Sequence, residues 1–456
     1  MANLFDSLTT ASRSLAAQRM GLDVAGQNLA NVNTVGYTRR TLVLQEVPPE
    51  SFNSAGRGVE VLRMQSLRDN YLEGRIRREQ STSSFGDAVV ETLSSIEAGI
   101  GLPGQALDER LSAFFDAFAT FADDPTSMPA RDGVVQQGRL LADSFNDMSE
   151  RLTAAQHDAD IRLSGTVDKI NALAAQVADL NARIANQGGD VENLRDQRNV
   201  AMAELAKLAD VTVTENDDGT TSVTVGHGRP IVVSGHSYQM TLAPGAPSGF
   251  SAVFVAGSDV TAEIGGGTVG GLLHARDNLI PAYQTRLDQL AYDVATAVNT
   301  EHVAGFDANG AAAGNFFAAP AGPTGAAGAL QVTAAILADS RLVAGSATGA
   351  PGDNGVARSI AALRDARLAA GGTTTAADAW GQYAYRVGAD MAEARSTVNS
   401  RDQVILQLQR LRDQVSGVSV DEEAANLMKF QRAYEATARY FTTISDTLDI
   451  LMQMVH

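Results

Sequence analysis

The sequence predicts a mainly α, elongated, multi-domain chain with a small β insertion. Three observations carry that expectation: heptad spacing at both ends, one apolar periodicity sustained over more than fifty residues, and a single stretch where the period changes from helical to alternating. The chain has 456 residues, long enough for several domains, and only 5% aromatics with one Trp, while Ala and Gly are plentiful. That composition suits close-packed helices better than one large aromatic core.

The N-terminal helix repeats Leu8, Leu15, Leu22 and Leu29 every seven residues, with Ala11, Ala25 and Val32 three places after their leucines and Gln18 the exception. Such an a/d stripe is the seam of a helix that packs against another helix. At the other end Leu427, Tyr434, Phe441, Leu448 and Val455 form one heptad series, and Phe430, Thr437, Ile444 and Leu451 the other. Any one of these stripes serves equally as the core face of a globular helix. Two of them framing the whole chain have a simpler use, which is to pair with each other as a coiled coil. The two form a discontinuous terminal-helix unit, 1–60 with 420–456.

Between the ends, residues 61–84 read as a linker into a helix, Phe85 to Glu97 as helical, and Gly99 to Gly104 as a break. Leu107, Leu111, Phe114, Phe115 and Phe118 restart the helical period. After "DDPTSMP", Asp132 is a candidate cap for a helix reaching Asn186, with Phe145, Leu152, Ala159, Thr166, Leu173 and Leu180 on its stripe. Unbroken, that segment spans roughly 80 Å, so the domain is a rod. "NQGGD" turns the chain into a helix from Val191 to about Leu208.

"VTVTENDDGTTSVTV" is two β-branched alternating runs around an Asp-Gly turn, and the alternation continues to about residue 264, giving a small β-rich domain at 211–265 inserted in the helical body. Helix returns over Leu272 to Val303, with Pro281 marking a kink or a restart. Residues 304–355 are Gly/Ala-rich and mostly irregular, with room for a short strand pair, and Ala376 to Val415 is a last long helix before the terminal one. The elongated helical domain is therefore 61–210 with 266–419.

Charge divides the chain the same way. The total is −18; residues 1–60 hold five arginines against five acids, and 420–456 three bases against six acids, which leaves −15 on the middle. Nearly neutral ends are cheap to bury among copies of themselves, whereas an acidic middle belongs in water and repels nucleic acid and anionic lipid.

Chemistry is sparse. With no cysteine, disulfides, thiolate metal sites and cysteine nucleophiles are excluded. Gly265, Gly267 and Gly270 satisfy G-x-G-x-x-G with Asp288 at a ribose-like distance, but no strand-helix-strand repeat surrounds them. They read as a flexible exit from the β insertion, with a nucleotide-binding enzyme as the remote alternative. The six histidines show no metal-ligand spacing, although His227 and His236 flank a hairpin and can meet; the acids at 421–423 are explained by the helix dipole. No catalytic, cofactor or metal residues are expected. No apolar run reaches the ~18 residues of a membrane span, and Met1 to Ala30 lacks the pattern of a cleaved signal, so the chain is cytoplasmic or exported without one.

The first helix ends in "NLANVNTVGYTRR". Its Ala30-Asn31-x-x-Thr34-x-Gly36-Tyr37-x-Arg39 resembles the signature of the bacterial flagellar axial proteins, the rod, hook and hook-associated subunits. The C-terminal "GVSVDEEAANLMKFQRAYEATARYFTTISDTLDILMQM" resembles the end of the hook-associated members, and further matches such as "GRGVEVLRMQSLRDNYLEGRIRRE" and "NLRDQRNVAMAELAKLADVTV" extend the resemblance over nearly the whole chain. It implies a structural subunit of the hook-filament junction, with another axial subunit, hook or rod, as the alternative. Its implied partners are the hook protein, the second hook-filament junction protein, copies of itself, and an export chaperone on the C-terminal helix. It also implies location in the extracellular flagellum after type III export, terminal helices paired as an inner domain around an axial channel, a helical domain around that, and the β-rich domain facing outward. The small β insertion leaves little room for the extra outer domain that some relatives carry. Within the motif, the asparagines are expected to end the helix, Gly36 to permit a turn, Tyr37 to pack in a joint, and Arg39 to bridge to a neighbouring subunit.

Overall fold

The computed structural model describes residues 2–48, 57–100, 106–186, 191–246 and 249–455. The expected breaks at 99–104 and at "NQGGD" fall largely outside them, at 101–105 and 187–190. The fold is mainly helical with small antiparallel sheets.

Helix α1 (Ala2–Ala30) pairs with the last helix, α12 (Val420–Val455). The pair is antiparallel: the ring of Phe430 lies over Gly21, where a Cβ would come within 2.6 Å of it, and Asn28 meets Glu423. The seam on α1 differs from the leucine stripe. Ala11, Gly21, Ala25 and Asn28 are buried, Ala17 and Val24 are buried beside them, and Leu8, Leu15, Leu22 and Leu29 are only half-buried. The reason is steric, since small residues let the two helices approach closely enough to seat the larger side chains of α12, and the leucines then flank the contact. On α12 Ile444 is buried, Leu427, Phe430, Phe441 and Leu448 are half-buried, and Tyr434 and Leu451 stay more than a third exposed.

The expected linker from 61 is ordered. Strand β1 (Arg40–Glu46) pairs with β2 (Val59–Ser66) in an antiparallel hairpin against α1, and α2 (Asn70–Ile100) starts well before Phe85. Asp69 caps α2, its Oδ1 accepting from the backbone N–H groups of Tyr71 (3.0 Å) and Leu72 (3.1 Å). The first half of α2 shows little apolar periodicity because it packs mainly on one helix, α11 (Ala376–Ser416), through Leu72, Ile76 and Leu408.

The spine of the body is α4 (Met128–Asn186), 59 residues and roughly 90 Å long at 1.5 Å per residue. It begins before Asp132, where Ser127 Oγ accepts from Ala130 N–H at 3.3 Å and Pro129 sits in the first turn, the position that tolerates its missing donor. Two hydrophobic cores share this spine. Its first half packs with α3 (Leu107–Asp123) and α7 (Ile280–Val303), on both of which α11 packs in turn, burying Phe114, Phe118, Phe145 and Tyr283. The second half, with α5 (Glu192–Leu208) and α6 (Gly267–His274), carries two antiparallel sheets. One is β3 (Val211–Glu215), β4 (Thr221–Val225), β5 (Arg229–Val233) and β6 (His236–Ser237) in order; the other is β7 (Met240–Pro244), β8 (Ser251–Val255) and β9 (Ser258–Asp259). Val223, Val232, Val253 and Val255 thus bury against Leu163, Ile170 and Val177 of α4 in one shared cluster.

Polar side chains on α4 fix the sheets. Asn181 Nδ2 donates to the carbonyls of Thr221 and Ser234, both at 2.7 Å, and its Oδ1 accepts from Thr221 N–H and from Arg198. Asn171 exchanges two 2.8 Å bonds with the backbone of Met240. Pro281 sits in the first turn of α7, which starts at Ile280 directly after a π turn. Residues Ala275–Leu279 form a π turn, in which Ile280 N–H reaches Ala275 O, and the helix continues. Arg276 in that turn is buried and tied to Asp160 of α4, Asp277 and the Ser251 carbonyl.

Residues 304–355 lack regular strands but are packed. Phe317 bridges Val332, Phe306 bridges Ala312 and Ser346, and short helices follow at Ala326–Ala329 and Ala334–Ala338. Buried His302 holds the segment from both ring nitrogens: Nδ1 lies 2.6 Å from Gly314 O, and Nε2 accepts from Ala344 N–H at 2.9 Å. The ring is therefore neutral, with the proton on Nδ1. Burial pushes its pKa down to about 4, and nearby Arg131 acts in the same direction.

A depressed histidine pKa contributes stability that is complete above the unfolded value near 6.5 and is lost as pH falls through the folded one. Acidifying from about pH 7.5 to about 4 is expected to cost up to about 3 kcal/mol through this group. Denaturant titrations across that range check it: His302→Gln starts less stable but loses less on acidification, and parallel slopes for the two proteins would exclude the effect.

Candidate assembly joint

Helix α1 ends by saturating its own last carbonyls. Asn31 N–H and Asn31 Nδ2 both donate to Gln27 O, at 3.1 and 2.9 Å. Two tight turns follow, in which Thr34 N–H donates to Asn31 O, Thr34 Oγ1 to Asn31 Oδ1, and Tyr37 N–H to Thr34 O. Gly36 has φ +81°, and a Cβ there would stand 2.3 Å from Val200 Cγ2 of α5, so both conformation and space require glycine. Ala30 is exposed at the helix end.

The turns bring the chain back across α1 at Asn28, which is 1% exposed. Asn28 Oδ1 accepts from Tyr37 OH (2.8 Å) and Arg40 N–H (3.0 Å), while Nδ2 donates to Arg40 O (2.9 Å) and Glu423 Oε2 (3.2 Å). Both donors and both acceptor positions of the amide are used. One side chain thus joins α1, the start of β1 and the first turn of α12.

Arg39 faces α12. Its Nε (2.8 Å) and Nη2 (2.7 Å) reach Glu423 Oε1, its Nη1 lies 2.7 Å from Glu422 Oε2, and its backbone N–H donates to Ser416 O at the end of α11. Glu423 is only 3% exposed, so Asn28 and Arg39 together replace its water. Arg40 faces the other way, towards α5. Its guanidinium stacks over the Tyr37 ring at 5.0 Å and approaches Asp196 Oδ2 at 3.4 Å. Arg68, leaving the hairpin, binds the other Asp196 oxygen and Thr38 Oγ1. Ser66 Oγ donates to Glu192. Glu192, Asp196 and Val200 recur every four residues, so one face of α5 serves the whole joint. Burial raises the Asp196 carboxyl above its ordinary pKa, while Arg68, Thr38 and Arg40 pull it back.

The structure thus brings Tyr37, Gly36 and Arg39 to one node and keeps Asn31 and Thr34 in the turn beneath it. The carboxylates that Arg39 meets belong to its own chain, where the sequence suggested a neighbouring subunit. Glu423, Asp196 and Arg68 were missed. The signal for Glu423 was the acid run at 421–423, which the helix dipole explained too readily.

The glycines at 265–270 are occupied by packing. A Cβ on Gly267 (φ +65°) would lie 2.4 Å from Ala209 N, and one on the neighbouring Gly271 would lie 2.4 Å from Phe85 O. Asp288 accepts from the backbone N–H groups of Gly325 (2.7 Å) and Ala327 (3.0 Å). Exposed His227 lies 3.8 Å from Glu263, while His236 is exposed in β6. Among the described residues no group of three His, Asp or Glu is placed to hold a metal ion.

Three family models match the chain. Residues 93–317 match the helical domain of the flagellar hook-associated protein FlgK, 413–454 the C-terminal region of the flagellar basal body rod proteins FlgEFG, and 8–38 the flagella basal body rod proteins. Flagellar hook-associated protein 1 of Bacillus subtilis (strain 168) is 28% identical, with 98% of each chain covered. That of Escherichia coli (strain K12) is 25% identical over 98% of this chain and 99% of the relative. The solved structure of the flagellar hook junction protein FlgK from Burkholderia pseudomallei superimposes with a TM-score of 0.66 at 16% identity, covering 75% of this chain and all of that one.

Asn28→Ala strands Tyr37 OH, the Arg40 backbone and part of Glu423. The expected cost to the α1–α12 pairing is about 2–4 kcal/mol. Hydrogen exchange checks it: amides of α1 and α12 lose protection while those of α4 keep theirs. Gly36→Ala is expected to cost about 1–3 kcal/mol from its left-handed backbone and the Val200 contact together, read as a lower denaturation midpoint.

Proposed function

The chain belongs to the flagellar hook-associated protein 1 family, whose members are structural subunits and not enzymes, and from that membership we propose how its parts serve the junction between hook and filament. The observation that carries the reading is the agreement in extent: relatives of that name align end to end, and the helical-domain model and the two rod-protein models fall on the body and on the two terminal helices respectively. Rod and hook subunits, the alternative, share the ends; the match over 93–317 and the long α4 favour the hook-associated member.

The chain is a flagellar component that associates with other hook and filament proteins. In the finer scheme, the α1–α12 pair forms the inner unit (1–60 and 420–456), packed as a coiled coil with copies of itself around an axial channel. The helical body (61–210 and 266–419) surrounds it, and the β-rich part (211–265) faces outward. The hook protein lies on one side and the second hook-filament junction protein on the other. Before assembly the chain leaves by the flagellar type III route without a cleaved signal, with a chaperone on the C-terminal helix.

The physical support is the face that the inner pair leaves uncovered. Phe5 and Met20 of α1 and Met428, Tyr440, Ile450, Met452 and Met454 of α12 are all at least two-fifths exposed, far more apolar surface than a solitary helix pair keeps in water. Neighbouring subunits cover it in the proposed ring. The body, carrying most of the negative charge, stays solvated.

A deletion strain tests the reading: complete hooks, no filaments, and flagellin shed into the medium are expected, whereas absent hooks would indicate a rod or hook role. In complementation, Phe441→Asp with Leu448→Asp is expected to leave the body folded by circular dichroism and to abolish filament attachment. Normal filaments on that variant would remove the terminal pair from the mechanism.

A further inference from the structure

Arg39 and Arg40 are consecutive at the entry to β1, and an extended chain sends successive side chains to opposite sides. Here the two sides are two different parts of the molecule: Arg39 holds Glu422 and Glu423 of α12, and Arg40 holds Asp196 of α5. We propose that the two arginines and Asp196 form a two-sided clamp that sets the angle between the paired terminal helices and the body, with Asp196 as its positioning residue.

Four observations converge on α5 as the anchor. Asp196 is 6% exposed and takes a guanidinium on each oxygen, Arg40 from the strand that enters the hairpin and Arg68 from the segment that leaves it. Ser66 at the end of β2 bonds Glu192, one helical turn before Asp196. Gly36 presses on Val200, one turn after it. Both legs of the hairpin are therefore fixed to one face of one body helix. The covalent links across the same gap are short: residues 67–69 into α2, and 417–419 from α11 into α12.

Buried carboxylate and guanidinium groups that lose their partners are costly to leave in place, so such a tie opens only as a unit. Asp196 and Val200 lie inside the stretch that matches the hook-associated helical domain, whereas α1 and α12 fall in the stretches that match rod proteins. The clamp is thus where a body peculiar to this family is aimed relative to ends of a more general kind. It concerns how the chain holds its own ends, and it stands whether or not the junction reading does.

The cysteine-free chain allows a direct test. Spin labels on cysteines at the exposed positions Arg19 and Lys169 report α1 against the body; labels at Arg19 and Thr447, also exposed, report α1 against α12. Electron–electron double resonance on the full chain is expected to give a narrow distance distribution for both pairs. Asp196→Ala broadens the Arg19–Lys169 distribution at least twofold and leaves both the Arg19–Thr447 distribution and the melting of the body unchanged. Arg39→Ala does the reverse. If Asp196→Ala lowers the melting of the body, Arg40→Gln with Arg68→Gln removes the same tie from the other side and carries the same expectation. A broad Arg19–Lys169 distribution in the parent chain, or a narrow one that survives loss of the tie, overturns the clamp. Filament growth plays no part in this readout, so its outcome is independent of the deletion experiment.

Discussion

The hydrogen bond between Asn28 and Glu423 joins residues 395 positions apart, and the rest of the architecture is arranged around that closure. Because the first helix pairs with the last, everything between them is a loop in the topological sense. Closure entropy grows only logarithmically with loop length, so a body of several hundred residues costs the pairing little more than a short one would. What the closure does require is a buried contact that accepts one partner geometry. An amide with all its bonding positions filled, beside a carboxylate held by two charged or polar side chains, supplies it. A purely apolar seam of small residues would leave the register of α1 on α12 free to slide.

The body solves a different problem, that of holding a shape far longer than it is wide. A single core of such length has little interior, and the chain instead threads one helix through two cores. The apolar stripe of α4 is continuous, and polar residues on it are spent where a neighbour has no side chains to interdigitate: Asn171 and Asn181 bond the backbone of the sheets, and Gln156 bonds Arg276 O at the π turn. The sheets consequently have no core of their own. Their buried valines face α4, which makes the β-rich part a cladding on the rod.

Joint and body meet on α5, a short helix whose faces are allotted separately. Arg198 turns inward to Asn181 and Gly219, where burial lowers its pKa to about 10, and Asp196 turns to the two legs of the β1–β2 hairpin. Helix α5 therefore lies between the hairpin that carries the terminal helices and the polar network that holds the sheets.

Much of this was legible in the residues. Heptads at both ends, the long stripe to Asn186, the alternating runs after Val211 and the motif from Ala30 to Arg39 rest on local periodicity or local turn chemistry, which a sequence displays directly. The first half of α2 escaped because a helix packed on a single neighbour needs few apolar positions, and 304–355 escaped because its order comes from His302 and Asn299 bonding backbone groups far along the chain. The sequence alone pointed to paired ends, a long helical middle and a joint in the stretch from Asn28 to Arg40 that closes α1. Only the tertiary structure decided that small residues make the seam while leucines flank it, and that Arg39 and Arg40 grip different helices. Those outcomes depend on which groups meet across hundreds of residues, and the pairing of distant charges leaves no period in a sequence.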